Sequence, residues 1–157
     1  METHKLEDII AQDSFFVGLD GAFCKTIAGC GKQMRFEKGQ YIYRQGDAAD
    51  HFYIVRHGHV ALELSAMGKP HVFQTLHDGD VLNATWIVPP YRCFSDARAV
   101  GPTILIAFDA ACLRDKCDDD HDLGYDLMKR FIPVVVERLN HARLQSLDVY
   151  GAGGDNG

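Results

Sequence analysis

Three side chains in one short segment could hold a metal ion. His57, His59 and Glu63 form an H-x-H-x-x-x-E arrangement. Two imidazoles and a carboxylate suit iron, manganese or zinc. His51, His71 and His77 offer no fixed spacing that would complete such a site. The cysteines, Cys24, Cys30, Cys93, Cys112 and Cys117, are odd in number and form no C-x-x-C pair, so free reduced thiols are expected. Asp118-Asp119-Asp120 reads as a helix start, where carboxylates are favoured, and not as a metal site. No G-x-S-x-G motif, Walker loop or paired catalytic carboxylate pattern is present, so the expectation is a non-enzymatic protein without a metal.

Composition sets the frame for these groups. The 157 residues fit one domain with a real core. Hydrophobic residues at 46% and charged residues at 24% are ordinary for a globular chain. Sixteen Lys+Arg against 22 Asp+Glu give a net charge of -6, which argues against a nucleic-acid surface. No apolar run approaches a membrane span, and the N-terminus lacks a secretory pattern, so a cytoplasmic location is expected.

The elements that must position the candidate groups follow from hydrophobic spacing. Leu6, Ile9 and Ile10 predict a short amphipathic lead helix, and Phe23, Ile27 and Ala28 a second, stopped by Gly29 and Gly31. From Met34 to Phe108 the chain breaks into short Val-, Ile-, Tyr- and Phe-rich segments punctuated by Gly39, Gly46, Gly58, Gly68 and Gly79. That pattern predicts a compact all-β sandwich or barrel, with 103–108 as a fully buried strand. From Asp118 the period becomes helical. Leu123, Leu127, Phe131 and Val134 form one apolar stripe; Met128, Ile132, Val135, Leu139 and Ala142 form another. The first suits the chain's own β-domain, and the second, with near-heptad spacing, suits an identical helix in a homodimer. The ordinary alternative is one wide stripe buried within a single subunit. Pro133 should kink or loosen this helix and could serve as its hinge. The organisation expected is lead helices over 1–30, the β-domain over 34–108, C-terminal helices over 109–149 and a disordered tail over 151–157.

Three hairpin segments carry a family resemblance. Phe15-Phe16-Val17-Gly18-Leu19, then Phe36-Glu37-Lys38-Gly39-Gln40-Tyr41-Ile42-Tyr43-Arg44-Gln45-Gly46-Asp47, then Phe52-Tyr53-Ile54-Val55-Arg56-His57-Gly58-His59-Val60 resemble, in order, the opening of the cyclic-nucleotide-binding domains of catabolite activators and kinase regulatory subunits. The resemblance runs from about Phe15 to Tyr150. It implies a mainly β protein, a β-jelly-roll with short N-terminal helices and a long C-terminal helix. In that family the long helix often dimerises and caps the ligand, and Arg138-Leu139 matches its Arg-Leu pair. Transcription factors of the family continue into a helix-turn-helix, which is not expected here because the sequence stops at Gly157.

The resemblance also implies a phosphate-binding cassette. Its parts are Gly79-Asp80-Val81-Leu82-Asn83-Ala84, then Tyr91-Arg92-Cys93-Phe94-Ser95-Asp96-Ala97-Arg98-Ala99. Backbone N–H groups would cradle the phosphate, a forked guanidinium would neutralise it, and a carboxylate would accept the ribose hydroxyl. Asp80 stands where the family has Glu, and Cys93 where it has Arg, with Arg92 one residue early. Two readings stay open. In one, Gly79, Asp80, Val81, Leu82, Asn83, Arg92 and Cys93 bind cyclic AMP or cyclic GMP, with Arg143 stacking on the base. In the other, Trp86 and Phe94 fill a degenerate cradle, and the domain is a ligand-free scaffold for dimerisation and protein docking.

The remaining constellations are weaker. Cupin enzymes carry metal on an H-x-H-x-x-x-E pattern, but the resemblance puts Gly58 at a turn, which sets the two histidines on either side of it. Oxygen-sensing relatives hold an iron–sulfur cluster on N-terminal cysteines; Cys24 and Cys30 lack the required run and read as buried small hydrophobes. The expected function is therefore a regulatory sensor that signals through its C-terminal helix to an unidentified effector protein.

Overall fold

The computed structural model describes residues 2–155. Helices α1 (Glu2–Gln12) and α2 (Gly21–Ala28) lead in. Asp20 caps α2, its side chain accepting the amide of Ala22. Eight strands follow: β1 (Gly31–Phe36), β2 (Tyr41–Tyr43), β3 (His51–His57), β4 (Val60–Ala66), β5 (Lys69–Leu76), β6 (Val81–Leu82), β7 (Asp96–Ala99) and β8 (Thr103–Asp109). They form two antiparallel four-stranded sheets, ordered β1-β8-β3-β6 and β2-β7-β4-β5. This is the jelly-roll expected. A single turn of 3-10 helix (Ala84–Ile87) separates β6 from β7, and α3 (Ala110–Asp119) leads into the long α4 (His121–Asp155).

The expected all-apolar strand is β8, which runs between β1 and β3 with Leu105, Ile106, Ala107 and Phe108 buried. A central strand covered on both faces needs no polar alternation. Gly58 makes the β3–β4 turn at φ +113, and a Cβ there would lie 2.7 Å from the Pro102 carbonyl. Only glycine fits that approach.

Phe52 organises the larger of two core clusters. Its ring stacks on Phe108 (centroids 4.6 Å) and on Trp86 (4.9 Å), and meets the edge of Phe131 at 4.9 Å. Phe15 packs edge-on against Phe131 at 4.7 Å. The cluster thus joins β3, β8, the 3-10 turn, α4 and the N-terminal turn. A smaller cluster, including Val55, Leu62, Phe73, Leu82 and Leu105, fills the space between the sheets.

α4 presents a buried stripe, Leu123, Leu127 and Phe131, as the first apolar spacing implied, with Val134 partly covered. The second stripe differs from expectation in two members. Val135 is partly covered against the core, and Ala142 is buried. Tyr125, Met128, Ile132, Val136 and Leu139 are exposed instead. The helix continues through Pro133 to Asp155, so 151–155, expected to be a disordered tail, are helical here.

Two cysteines correct the thiol expectation. Cys30 and Cys112 form a disulfide that ties the start of β1 to α3, while Cys24, Cys93 and Cys117 are free. Spacing within the sequence could not show this, because the partners are 82 residues apart.

Two stability measurements test these assignments. Phe131→Ala empties the centre of the aromatic cluster and should cost about 3–5 kcal/mol, read as a lower urea midpoint. Cys112→Ser should lower stability by about 2–4 kcal/mol relative to the oxidised chain, and by much less relative to the reduced one.

Candidate functional site

The segment between β6 and β7 meets α4 in one place, and its local geometry is tightly held. Asn83 adopts a left-handed conformation (φ 67) and donates its side-chain amide to the His51 carbonyl at 2.8 Å. The 3-10 turn is fixed by Arg114, which donates to the Trp86 carbonyl at 2.6 Å and lies over the Tyr91 ring. Trp86 is 0% exposed among Phe52 and Phe131. It therefore fills the core behind the turn and not the cradle, as the degenerate reading had supposed.

In front of the turn lies a cavity of about 230 Å³. Leu62 and Phe73 form its floor, from β4 and β5. Ala84, Val88 and Phe94 line it from the cassette, and Val135, Arg138 and Leu139 from α4. Tyr43, Asn83, Thr85 and Ser95 supply polar atoms. So Phe94 borders the hollow but does not close it.

Arg138 is the one cation in that lining. Its Nη2 donates to the Val81 carbonyl at 2.8 Å, and its Nε is buried without a partner. Burial lowers the Arg138 guanidinium below its usual range, opposed by Glu137, Tyr43 and Asp80. Next to it Glu137 accepts the side-chain amide of Gln74 at 2.8 Å. These contacts latch α4 to the roll.

Several residues expected in the site lie elsewhere. Asp80 accepts the His77 amide on Oδ2 at 2.8 Å, closing a tight turn, and does not line the cavity. Gly79 (φ +88) belongs to the same turn, its amide bonded to the Val55 carbonyl. Val81 and Leu82 are buried strand residues; Val81 contributes only its carbonyl. Arg92 is exposed and its carbonyl accepts the Thr85 hydroxyl. Its backbone pairs with Ala48 in an isolated antiparallel bridge, and the residue does not line the cavity. Arg143 is exposed on α4, outside the cavity lining. Of the residues expected to bind ligand, Asn83 alone lines this cavity.

Cys93 faces a second depression of about 310 Å³ on the other side of Tyr43 and Asn83, with Asp47, Asp50, His51 and Tyr53. Burial pushes its thiol up to about 11, reinforced by Asp47 and Asp50. At neutral pH it is an uncharged thiol and offers a phosphate nothing.

The metal-like trio does not converge. His57 lies 3.7 Å from Asp78 across the turn, and His59 meets the edge of His77. Glu63, 4% exposed, is gripped by Arg98 through bonds of 2.9 and 3.3 Å. That pair raises the Arg98 pKa and leaves no carboxylate for a metal. Among the described residues no cluster of three or more His, Cys, Asp or Glu could hold a metal ion.

Arg138 was visible in the sequence only as part of the Arg-Leu pair. The floor residues Leu62 and Phe73 are buried apolar strand residues, a signal that marks a covered face but not a cavity.

Residues 33–120 match the family model of the cyclic nucleotide-binding domain. No curated protein matches the chain. Solved structures with the same fold include a protein named for cyclic nucleotide binding from Geobacter metallireducens GS-15 (TM-score 0.75, 24% identity, 88% of this chain and 98% of that one). The sensor domain of the transcriptional regulator DNR from Pseudomonas aeruginosa aligns at TM-score 0.70, with 20% identity over 89% of this chain and 95% of its own. A regulatory subunit of a cAMP-independent protein kinase A from Trypanosoma cruzi, bound to guanosine, aligns at 0.71, with 19% identity over 96% of this chain and 52% of its own. With its matched segment and jelly-roll, the chain belongs to the cyclic nucleotide-binding domain family, whose members are regulatory ligand sensors.

Proposed function

We propose that this chain is a non-enzymatic regulatory module that senses a small ligand in the cradle between the roll and α4 and passes the result along α4. The observation that carries the reading is a mostly apolar cavity between the roll and α4 that has one cation, Arg138, in its lining. A ligand there would touch Val135, Arg138 and Leu139, and so bias where α4 sits. The guanosine bound by the trypanosome subunit supports a fold that accepts ligands without a cyclic phosphate.

Cyclic AMP and cyclic GMP, the ligands the resemblance implied, are not favoured by the geometry. Asp80 and Arg92 both lie outside the lining, and Cys93 is neutral. The rival reading, a ligand-free scaffold, draws on the same observation.

α4 also supports the homodimer. Tyr125, Ile132 and Leu139 recur every seven residues, and Met128 adds the intervening position of a two-stranded seam. Ile132 is 50% exposed, and Leu139 belongs to both seam and cradle. An effector protein would read the resulting change in the paired helices. No described helix is long and apolar enough to cross a membrane, and the acidic charge disfavours direct DNA contact. A cytoplasmic location fits this role, and the Cys30–Cys112 disulfide would be an exception there, since that compartment keeps most cysteines reduced.

Native mass spectrometry of protein purified without denaturation tests the sensor. A bound small molecule should accompany wild type and Arg92→Ala, and be absent from Val88→Trp, which blocks the cradle. Retention by Val88→Trp, or loss in Arg92→Ala, would place the ligand elsewhere. For the dimer, light scattering should give twice the 17.5 kDa chain mass, falling to a single chain in Ile132→Glu; a monomeric wild type refutes the seam.

A further inference from the structure

Resting on the sensor reading, we infer that the cradle selects a small apolar carboxylate, with a body the size of one aromatic ring or a medium-length acyl chain. Three features of the cavity lead there: its size, its charge and the occupation of its polar atoms.

An apolar cavity of about 150 Å³ holds benzene. At about 230 Å³ the cradle takes a ring with a short arm, or a comparable chain, and is small for a base, a sugar and a phosphate together. Its walls are the side chains of Leu62, Phe73, Phe94, Val135 and Leu139, which favour an apolar body.

Three of the four neutral polar side chains around that body are engaged already. Asn83 donates to the His51 carbonyl, Thr85 to the Arg92 carbonyl and Ser95 to the Asp96 carbonyl. A ligand with several hydroxyl or amide groups would leave them without partners, at a desolvation cost for each. Arg138 is different. One of its terminal nitrogens holds Val81, and its Nε has no partner. No carboxylate lines the cavity itself; Glu137 and Asp80 act on Arg138 from outside it. One positive charge in an otherwise apolar lining is complemented by one negative charge. A carboxylate, which accepts forked donors from a guanidinium, supplies that charge on a group small enough for the cavity.

Octanoate and phenylacetate serve as probes in isothermal titration, with octanamide and phenylacetamide as neutral counterparts of the same shape. At least one acid should bind, and its amide should bind at least about tenfold more weakly. Arg138→Gln should weaken the acid by a similar factor and leave the amide unchanged. The amides test the charge on unaltered protein, so a folding defect in the variant cannot hide the answer. Equal binding of acid and amide, or undiminished acid binding by Arg138→Gln, overturns the inference. Cyclic AMP or cyclic GMP binding where neither acid does overturns it too, and leaves the sensor standing. Failure of every probe, together with no ligand in native mass spectra, removes both.

Discussion

The Phe52 aromatic cluster is the contact on which the rest of the molecule depends. A jelly-roll alone has no reason to hold a helix at a fixed angle to its cassette. Here Phe52 and Phe108 from the roll, Trp86 from the 3-10 turn and Phe131 from α4 share one packed group. Interiors of this density do not deform smoothly, so the cassette and α4 are set relative to each other within narrow limits. Arg130 adds a polar clamp by donating to the carbonyls of Phe15 and Val17, which fastens the N-terminal turn to the same helix. The cradle is the space left over on the far side of that anchored turn.

Within this frame the segment from Gly79 to Ala99 has a tightly fixed backbone and few charged groups facing the cradle. The turn at Gly79 and Asp80, the short β6 and the left-handed Asn83 set the path of the chain. Its charged groups are engaged elsewhere. Asp80 satisfies a backbone amide, Arg98 locks Glu63, and Arg92 faces water. The guanidinium that remains in the hollow comes from α4. A ligand bound through Arg138 would be held by the helix whose position reports binding.

The hairpins, the buried β8 and the inner stripe of α4 were legible in the sequence because each follows from a short-range period or a glycine that a turn requires. The site was not. Arg92 and Cys93 are adjacent in sequence, yet Arg92 is exposed and Cys93 buried, in a segment whose backbone pairs with Ala48. That pairing is long-range and leaves no local mark. Val135 and Ala142 went to the wrong stripe for a related reason. Spacing along a helix gives the direction of a side chain, while the surface of the roll decides how far cover extends. Arg138 could be noticed as a motif but not as a ligand group, since its role depends on what Val81 and Glu137 leave unmet.

The Cys30–Cys112 bond has a topological consequence. It closes the whole β-roll into a covalent ring, with the lead helices and α4 as two arms leaving from the knot. A single peptide cleavage inside the ring, such as in the exposed Met67-Gly68 tip between β4 and β5, would open the ring without separating the pieces. The nicked chain would keep both arms on one molecule until a reductant cut the knot.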